Sequence, residues 1–247
     1  MAIQKAEGVV LKRKHFREKS LLLSLYTYQF GKINGILKGK TSIQSPAYVE
    51  VVFYPHKKGL HFISECSLKD SFTNLNKSLL ALGAANYFSE LVDELTFPEQ
   101  RNRRLFNLLF VAISFLTKED ISGPDIRRFI SIFEIKLLGL LGVFPSSGHH
   151  FHTWCGSGSI LPGTVASLCY LKREDMKKGL LLKISPQINR QIREVLKGLL
   201  SLHLQKRLKS EEFLEKISEG YPDTQKATGV RKGEQGLAGG SRGISRW

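Results

Sequence analysis

The sequence has few cysteines, no long apolar run and no secretion pattern at its start, and each shortage excludes a class of protein. Its 247 residues include Cys66, Cys155 and Cys169, which are too few for a disulfide scaffold and odd in number. No run of about 18 apolar residues is present, so we expect no transmembrane helix. Met1–Lys14 lacks the apolar stretch and small-residue cleavage site of a secretory signal. We therefore expect a cytoplasmic protein, with enough chain for one large domain or two small ones.

Motifs that would carry catalysis are also missing. No glycine-rich loop ends in Gly-Lys-Ser/Thr, so nothing indicates ATP hydrolysis. The acidic pairs Asp93–Glu94 and Glu119–Asp120 fall on or near predicted helices, where we interpret them as solvated helix faces and not as a two-metal nuclease site. The serines, histidines and cysteines show no pattern typical of a nucleophile with its base. We expect a protein that binds its partners and is not an enzyme.

Positive charge is abundant and unevenly distributed. The net charge is +15, and residues 1–80 and 172–247 each carry a net +8, whereas residues 81–171 carry −1. Two basic ends around a neutral middle indicate polyanionic partners, either nucleic acid or an anionic membrane surface. Solvated charged faces in a generally basic protein are the alternative interpretation.

The first 75 residues have the pattern of a small β-barrel. Short segments rich in β-branched and aromatic residues alternate with glycine turns, which is typical of closely connected strands. Their number and length fit a five-stranded OB-fold, although periodicity alone does not distinguish this fold from an SH3-like barrel. The predicted strands are Ala6–Leu11, Leu21–Thr27, Lys32–Leu37, Tyr48–Tyr54 and His61–Cys66.

Near Asn74 the spacing of apolar residues changes from the period of a strand to that of a helix. Helices are predicted from about Leu75 to Leu91, Arg103 to Leu116, Gly123 to Leu141, Ser185 to Leu199, and from Ser210 onward. We therefore expect an α+β fold, with the barrel at 1–75 followed by an all-helical domain at 76–217. The polar, basic segment 218–247 is predicted to be a disordered tail.

The stretch 146–171 is rich in glycine and histidine and is predicted to be a loop or a small insertion. Two residues separate His152 from Cys155, as in zinc knuckles, and Cys169 lies 14 residues further on. No fourth ligand is evident. A metal-free loop with free thiols is therefore the alternative to a zinc site.

A cluster of cations and aromatic rings in the predicted barrel is the pattern expected for binding single-stranded nucleic acid. Cations neutralise the phosphates along the strand, and rings stack on its bases. The candidate rings are His15, Phe16, Tyr26, Tyr28 and Phe30, although a ring in a barrel is more often part of the core. The cations of this cluster are Lys12, Arg13, Lys14, Arg17, Lys19, Lys32, Lys38 and Lys40.

Several sequence blocks resemble, in order and spacing, the RecO family of bacterial DNA-repair proteins. The resemblance spans about residues 3–217. Its blocks are Ala6–Arg13, Glu18–Thr27, Phe30–Gly39, Phe133–Gly142, Leu202–Leu204 and Lys206–Leu214. The sequence departs from the family in the insertion, where many members have two Cys-x-x-Cys pairs. Here His152 replaces the first cysteine, Cys155 keeps the second, and Cys169 is what remains of the later pair.

The resemblance implies an N-terminal OB-fold, a helical domain and a zinc-ribbon-like insertion, which is degenerate in this chain. It implies annealing of complementary strands and binding of single- and double-stranded DNA, with the contacts falling on Lys12, Arg13, Lys14, Arg17, Lys32, Lys38 and Lys40. No cofactor is expected to be required, and zinc is the one candidate. The implied partners are RecR, in some members RecF, and the single-strand DNA-binding protein. The tail of that protein would dock on basic and apolar residues of the helical domain.

Together these partners would load RecA on DNA that is coated with the single-strand DNA-binding protein. The resemblance implies that this takes place in the cytoplasm, on the nucleoid, and that no membrane is involved.

Two other classes of protein remain open from the residues themselves. The chain could be an RNA-binding or ribosome-associated OB-fold protein, because bases stack alike in both polymers. It could also be a hydrolase or nuclease whose site the sequence does not reveal.

Overall fold

The chain folds as a five-stranded barrel followed by a helical region, which confirms the α+β class. The computed structural model describes residues 2–16, 20–39, 42–57, 59–118, 121–145, 151 and 160–220. Within these ranges the strands are β1 (Gln4–His15), β2 (Ser20–Thr27), β3 (Gly31–Lys38), β4 (Tyr48–Tyr54) and β5 (His61–Asp70). A 3-10 turn precedes the helices, which are α1 (Leu79–Leu95), α2 (Arg103–Leu116), α3 (Gly123–Leu140), α4 (Pro162–Arg173), α5 (Met176–Leu181), α6 (Pro186–His203) and α7 (Lys209–Gly220).

The barrel closes in the strand order β1-β2-β3-β5-β4. Strands β3 and β5 are parallel, and the other neighbours are antiparallel. This is the five-stranded barrel of the OB-fold, so the SH3-like alternative is excluded. Gly35 allows β5 to lie close to β3, because a Cβ at this position would be 2.7 Å from a side-chain carbon of Ile63.

Polar caps determine where four helices begin. The side chains of Ser78, Asn102, Ser122 and Ser185 each accept a hydrogen bond from the backbone N–H three residues further on, at 3.1–3.3 Å. Such a cap satisfies one of the N–H groups that the first turn of a helix leaves without a partner. The starts predicted at Arg103, Gly123 and Ser185 are confirmed to within one residue. The start predicted at Leu75 is wrong, because a 3-10 turn occupies Thr73–Lys77 and α1 begins only at Leu79.

The prediction of a loop or small insertion over 146–171 is corrected by α4, which begins at Pro162. This helix buries Thr164, Leu168 and Leu171, a short stripe in a segment that opens with proline and glycine. Its start depends on α6, where the side-chain oxygen of Gln191 accepts hydrogen bonds from the Thr164 hydroxyl at 2.6 Å and the Leu161 N–H at 3.1 Å. The start of α4 is therefore set by its contact with α6, and not by an apolar repeat in its own sequence.

Two apolar cores meet at the wall of the barrel. One core fills the barrel interior. The other fills the helical region and includes Val9, Leu11 and Tyr26 from the outer side of β1 and β2. The barrel and the helices are therefore held together by a shared core. Among the residues described, no helix is both long enough and apolar enough to cross a membrane.

The last helix is tied back to the first. Glu90 of α1 accepts hydrogen bonds from the Ser210 N–H at 2.9 Å and the Ser210 hydroxyl at 2.5 Å, at the start of α7. Beneath this contact, Tyr87 of α1 donates a hydrogen bond of 2.5 Å to the buried Glu134 of α3. The pKa of Glu134 is raised to about 7, chiefly by burial, which outweighs the lowering effect of the Tyr87 hydrogen bond. Glu211 of α7 also raises it.

Candidate nucleic-acid interface

One side of the barrel carries cations around a strip of apolar side chains. Lys14 on β1 lies opposite Leu22 on β2, which lies opposite Ile36 on β3, which in turn lies opposite Phe62 on β5. Directly opposed residues share a face of the sheet, so these four form one row. Lys12 and Lys38 flank this row. We call the surface formed by Lys12, Lys14, Leu22, Ile36, Lys38 and Phe62 the outer barrel face.

The outer barrel face depends on a bulge in β1. Val10 lies opposite Leu25, but Lys12 lies opposite Ser24, so Leu11 is the extra residue. Because of this residue, Lys12 follows Leu11 on the outer side of the barrel instead of turning inward. Lys12, Lys14 and Lys38 are all exposed. The three lysines therefore extend into solvent on the same side.

Arg13 takes the opposite direction from its neighbours. It lies opposite Leu23, a residue of the barrel interior. Its guanidinium donates a hydrogen bond of 3.0 Å to the carbonyl of Ile43, in the loop before β4. Arg13 is thus at the rim of the barrel and not on the outer barrel face. The other cations predicted in this cluster, Arg17, Lys19 and Lys40, lie outside the described residues.

Lys32, also predicted to contact DNA, is used inside the molecule. Its ammonium lies 2.8 Å from the carboxylate of Asp93 on α1, and the two side chains are only 12% and 10% exposed. The ammonium also donates to the Asp93 carbonyl. A phosphate contact would require this pair to break, so we remove Lys32 from the candidate surface.

The sequence predicts that Asp93–Glu94 lies on a solvated helix face, and this prediction is wrong for Asp93. Asp93 is buried and accepts a hydrogen bond of 2.7 Å from Ser24 on the barrel, besides its pair with Lys32. Lys12 lies at the margin of this group, with its ammonium 3.9 Å from Asp93 and its side chain 59% exposed. Asp93 therefore joins α1 to the barrel wall. Glu119 and Asp120 lie outside the described residues.

Most of the rings predicted to stack on bases are packed inside the protein. Tyr26 is buried in the helical core. Tyr28 packs edge-on against Phe106, with the Arg103 guanidinium 4.9 Å from its ring centre. Phe30 packs against the barrel interior. His15 and Phe16 are exposed at the end of β1.

A ring pair that the sequence analysis missed lies on and beside the outer barrel face. Phe62 and Tyr54 of the neighbouring β4 have ring centres 6.0 Å apart with their planes inclined by 31°. The Lys38 ammonium lies 5.6 Å from the centre of the Phe62 ring. The alternation of β5 was the available signal, because Ile63 is a core residue and its neighbour must therefore face outward.

The segment between α1 and α2 borders the outer barrel face at the start of β3. The Glu99 N–H donates a hydrogen bond of 2.8 Å to the Lys32 carbonyl. Behind this segment, the Glu99 carboxylate lies 3.6 Å from the buried His61 side chain. Burial lowers the pKa of His61, Glu99 raises it, and His56 lowers it. The pKa of His61 is thus lowered overall, and its side chain is packed inside the protein and is not part of the exposed interface.

The predicted zinc ligands are only partly visible. Cys169 is exposed on helix α4. His152 and Cys155 lie outside the described residues, so the zinc site stays a prediction. In the part of the chain that is described, no three His, Cys, Asp or Glu side chains are grouped as metal ligands would be.

The helical region has a groove of about 480 Å³ among α2, α3, α4 and α5. Lys136 reaches across it and donates a hydrogen bond of 3.2 Å to the Lys172 carbonyl. The pKa of Lys136 is lowered overall, chiefly by burial, although Asp175 and Glu174 raise it. The groove is lined by the cations Arg104, Lys136 and Lys172, the acid Asp175, and the apolar side chains Leu108, Val111, Leu140 and Met176, together with Asn107 and Gly139.

The barrel has a cationic outer face and packs on a helical bundle, so the chain is an OB-fold protein with a helical domain. In OB-folds the face of strands 2 and 3 is the usual ligand-binding surface. Residues 1–72 match the family model described as Recombination protein O N terminal, and residues 76–157 match that described as Recombination protein O C terminal. The chain belongs to the RecO family of DNA-repair proteins.

Curated relatives match along most of their length. The chain is 28% identical over 233 residues to the DNA repair protein RecO of Alkaliphilus metalliredigens (strain QYMF), covering 81% of this chain and 93% of the relative. It is 27% identical over 248 residues to the DNA repair protein RecO of Caldicellulosiruptor saccharolyticus, covering 88% of this chain and 100% of the relative. The corresponding protein of Desulforamulus reducens is 26% identical over 253 residues, with 88% and 96% covered.

Proposed function

We propose that this protein is a recombination mediator that binds single- and double-stranded DNA and anneals complementary strands without catalysing a reaction. The observation that carries the proposal is the outer barrel face, where Lys12, Lys14 and Lys38 surround the apolar strip of Leu22, Ile36 and Phe62. Cations beside apolar and aromatic side chains are what a nucleic-acid strand needs for its phosphates and bases.

The mechanism is electrostatic. Two complementary strands repel each other, and cations that neutralise their phosphates allow them to come together, while base pairing supplies the driving force. Each neutralised phosphate releases condensed counterions, so binding weakens as salt is added. Acceleration of annealing should therefore be greatest at low salt.

The test replaces Lys12, Lys14 and Lys38 with alanine in the full chain. We expect a several-fold loss of affinity for single-stranded DNA. The slope of log affinity against log salt should flatten by about 2, since each phosphate contact on a single strand contributes about 0.7. Affinity is measured by fluorescence anisotropy at several salt concentrations, and annealing with two labelled complementary oligonucleotides.

The matched control removes three exposed lysines of the helical region, Lys177, Lys183 and Lys216. This variant has the same net charge as the first, so a loss confined to the Lys12, Lys14 and Lys38 variant identifies the surface and not the total charge. Equal losses in both variants would contradict the proposed interface. Stronger binding to RNA than to DNA of the same sequence would favour an RNA-binding protein instead.

We propose that the groove in the helical region receives the tail of the single-strand DNA-binding protein. Its cations and its apolar floor suit an acidic segment with apolar side chains. Val111 lines the groove and is 49% exposed, so Val111→Glu places a negative charge there at little cost to folding. We expect this change to weaken binding to the intact single-strand DNA-binding protein.

The control for the groove is Leu202→Glu, which adds the same charge at an exposed position of α6 outside the groove. Binding to a single-strand DNA-binding protein that lacks its tail gives the background. If Val111→Glu and Leu202→Glu behave alike, the tail docks elsewhere. Annealing of coated strands should follow the same order as binding.

The remaining parts of the proposal concern the complex as a whole. RecR, and in some members RecF, would act with this chain so that RecA is loaded on coated DNA in the cytoplasm, at the nucleoid. We propose that no cofactor is required. Elemental analysis of protein purified without chelator tests zinc, and incubation with labelled DNA and Mg²⁺ tests for cleavage.

A further inference from the structure

Phe62 is a large aromatic residue that neither of the two cores uses. It is partly exposed on the outer barrel face, whereas its strand neighbours His61 and Ile63 are buried. Neither Phe62 nor its ring partner Tyr54 belongs to the barrel interior or to the helical core. Packing of the two cores therefore does not require an aromatic ring at this position.

The surroundings of Phe62 match the needs of a nucleotide. Leu22 and Ile36 extend the apolar surface along the row, and Tyr54 supports the ring from β4. The Lys38 ammonium lies over the ring, 5.6 Å from its centre. A base that stacks on this face therefore replaces the cation–π contact and has the displaced cation close by for its phosphate. Charge and ring are thus adjacent, as they are in binders of single strands.

We propose that Phe62 is the stacking position for one base of a single strand and that it gives the interface its preference for single-stranded over double-stranded DNA. This inference rests on the proposed function. In a duplex both faces of each internal base are covered by neighbouring bases, whereas the phosphates stay accessible. The lysines can therefore bind the phosphates of both forms of DNA, whereas the ring can stack only on an unpaired base.

The experiment compares Phe62→Leu with the unchanged full chain, using an oligonucleotide and a blunt-ended duplex of the same length. Leucine keeps an apolar side chain on β5 but removes the aromatic face. We expect the ratio of duplex Kd to single-strand Kd to fall about fivefold or more, since stacking of one base contributes roughly that much. Thermal unfolding checks that the barrel is retained.

Phe62→Trp provides a second and independent measurement. An indole ring preserves stacking, so the single-strand preference should be kept. The added fluorescence should be quenched by the single strand and not by the duplex. This readout holds even if Phe62→Leu unfolds the barrel.

The outcomes separate this inference from the proposed function. If the Lys12, Lys14 and Lys38 variant loses affinity for both DNA forms while Phe62→Leu leaves the ratio unchanged, the stacking role is wrong and the interface stands. If the lysine variant binds both forms as the unchanged chain does, the proposed interface is wrong. Quenching of the Phe62→Trp protein by duplex and single strand alike would also overturn the stacking role.

Discussion

At the scale of the residue, Lys12 and Lys32 show that neighbouring lysines of one barrel can have opposite uses. Both ammonium groups approach Asp93, at 3.9 and 2.8 Å. Lys12 is 59% exposed and keeps most of its hydration, so it is available to a phosphate. Lys32 is 12% exposed, and its charge is balanced by Asp93. The burial of the ammonium, and not the residue type, separates the lysine that we propose for DNA binding from the structural one.

Replacing Asp93 tests this division. Asp93→Asn leaves the Lys32 ammonium largely buried without its counter-charge, and we expect the free energy of unfolding to fall by about 3 kcal/mol. Lys12→Ala should change it by less than about 1 kcal/mol, because an exposed pair contributes little. Urea denaturation measures both. A loss below about 1 kcal/mol for Asp93→Asn would mean that the Lys32 pair does not hold α1 to the barrel.

At the scale of the element, the segment between α1 and α2 is locked onto the turn between β2 and β3. Gly31 has a φ of +73°, and a Cβ there would lie 2.2 Å from the Gln100 carbonyl oxygen. The position therefore requires glycine for two reasons, its backbone conformation and the close approach of another segment. This contact holds the segment between α1 and α2 against the start of β3, next to the outer barrel face.

Gly31→Ala should therefore destabilise more than an alanine at an open glycine with positive φ. Gly59 is the matched control, since its φ is +89° and no atom lies within 4 Å of an added Cβ. We expect a loss of about 3 kcal/mol for Gly31→Ala and about 1 kcal/mol for Gly59→Ala. Equal losses in urea denaturation would indicate that backbone strain alone matters and that the segment moves aside.

Element positions could be predicted from the sequence where burial is periodic. The five strands and the helices α1, α2, α3 and α6 each have an apolar repeat that the local sequence displays, and all of them form. Helix α4 could not be found in this way, because its burial comes from α3 and α6 and its own stripe is short.

The candidate site was predictable in composition but not in arrangement. The basic cluster of β1 is evident in the sequence, but the bulge at Leu11 decides which of its cations face outward. The burial of Lys32 and Asp93 depends on a contact between residues 61 positions apart, which no local pattern records. The outward position of Phe62 follows from the alternation of β5, in which its neighbours His61 and Ile63 are buried.

At the scale of the whole molecule, Glu134 makes stability depend on pH. Its pKa is raised from 4.5 to about 7 in the folded protein, chiefly by burial. A carboxyl group with a raised pKa binds its proton more tightly when folded, so stability decreases as pH rises through the window between these two values. The decrease attributable to Glu134 is at most about 3 kcal/mol.

Glu134→Gln removes this titration and keeps an acceptor for the Tyr87 hydroxyl. We expect the variant to gain stability relative to the unchanged protein as pH rises from 5 to 8, because only the unchanged protein has to bury a charge. The measurement is the difference between the two unfolding free energies in urea at each pH, which cancels the other carboxyl groups. A difference that does not vary with pH would contradict the raised pKa of Glu134.

The bulge at Leu11 has a consequence for how this surface tolerates change in the gene. Deletion of the Leu11 codon would leave Lys12 opposite Ser24, with Lys12 and Lys14 still facing outward. Side chains alternate along a strand, so a substitution that instead placed Leu11 opposite Ser24 and removed the bulge would turn Lys12 and Lys14 toward the barrel interior and Arg13 outward. Every basic residue would still be encoded, and the net charge would be unaltered. A comparison that counts only cations would score the two proteins as equal, although one of them would have lost the face that we propose for DNA.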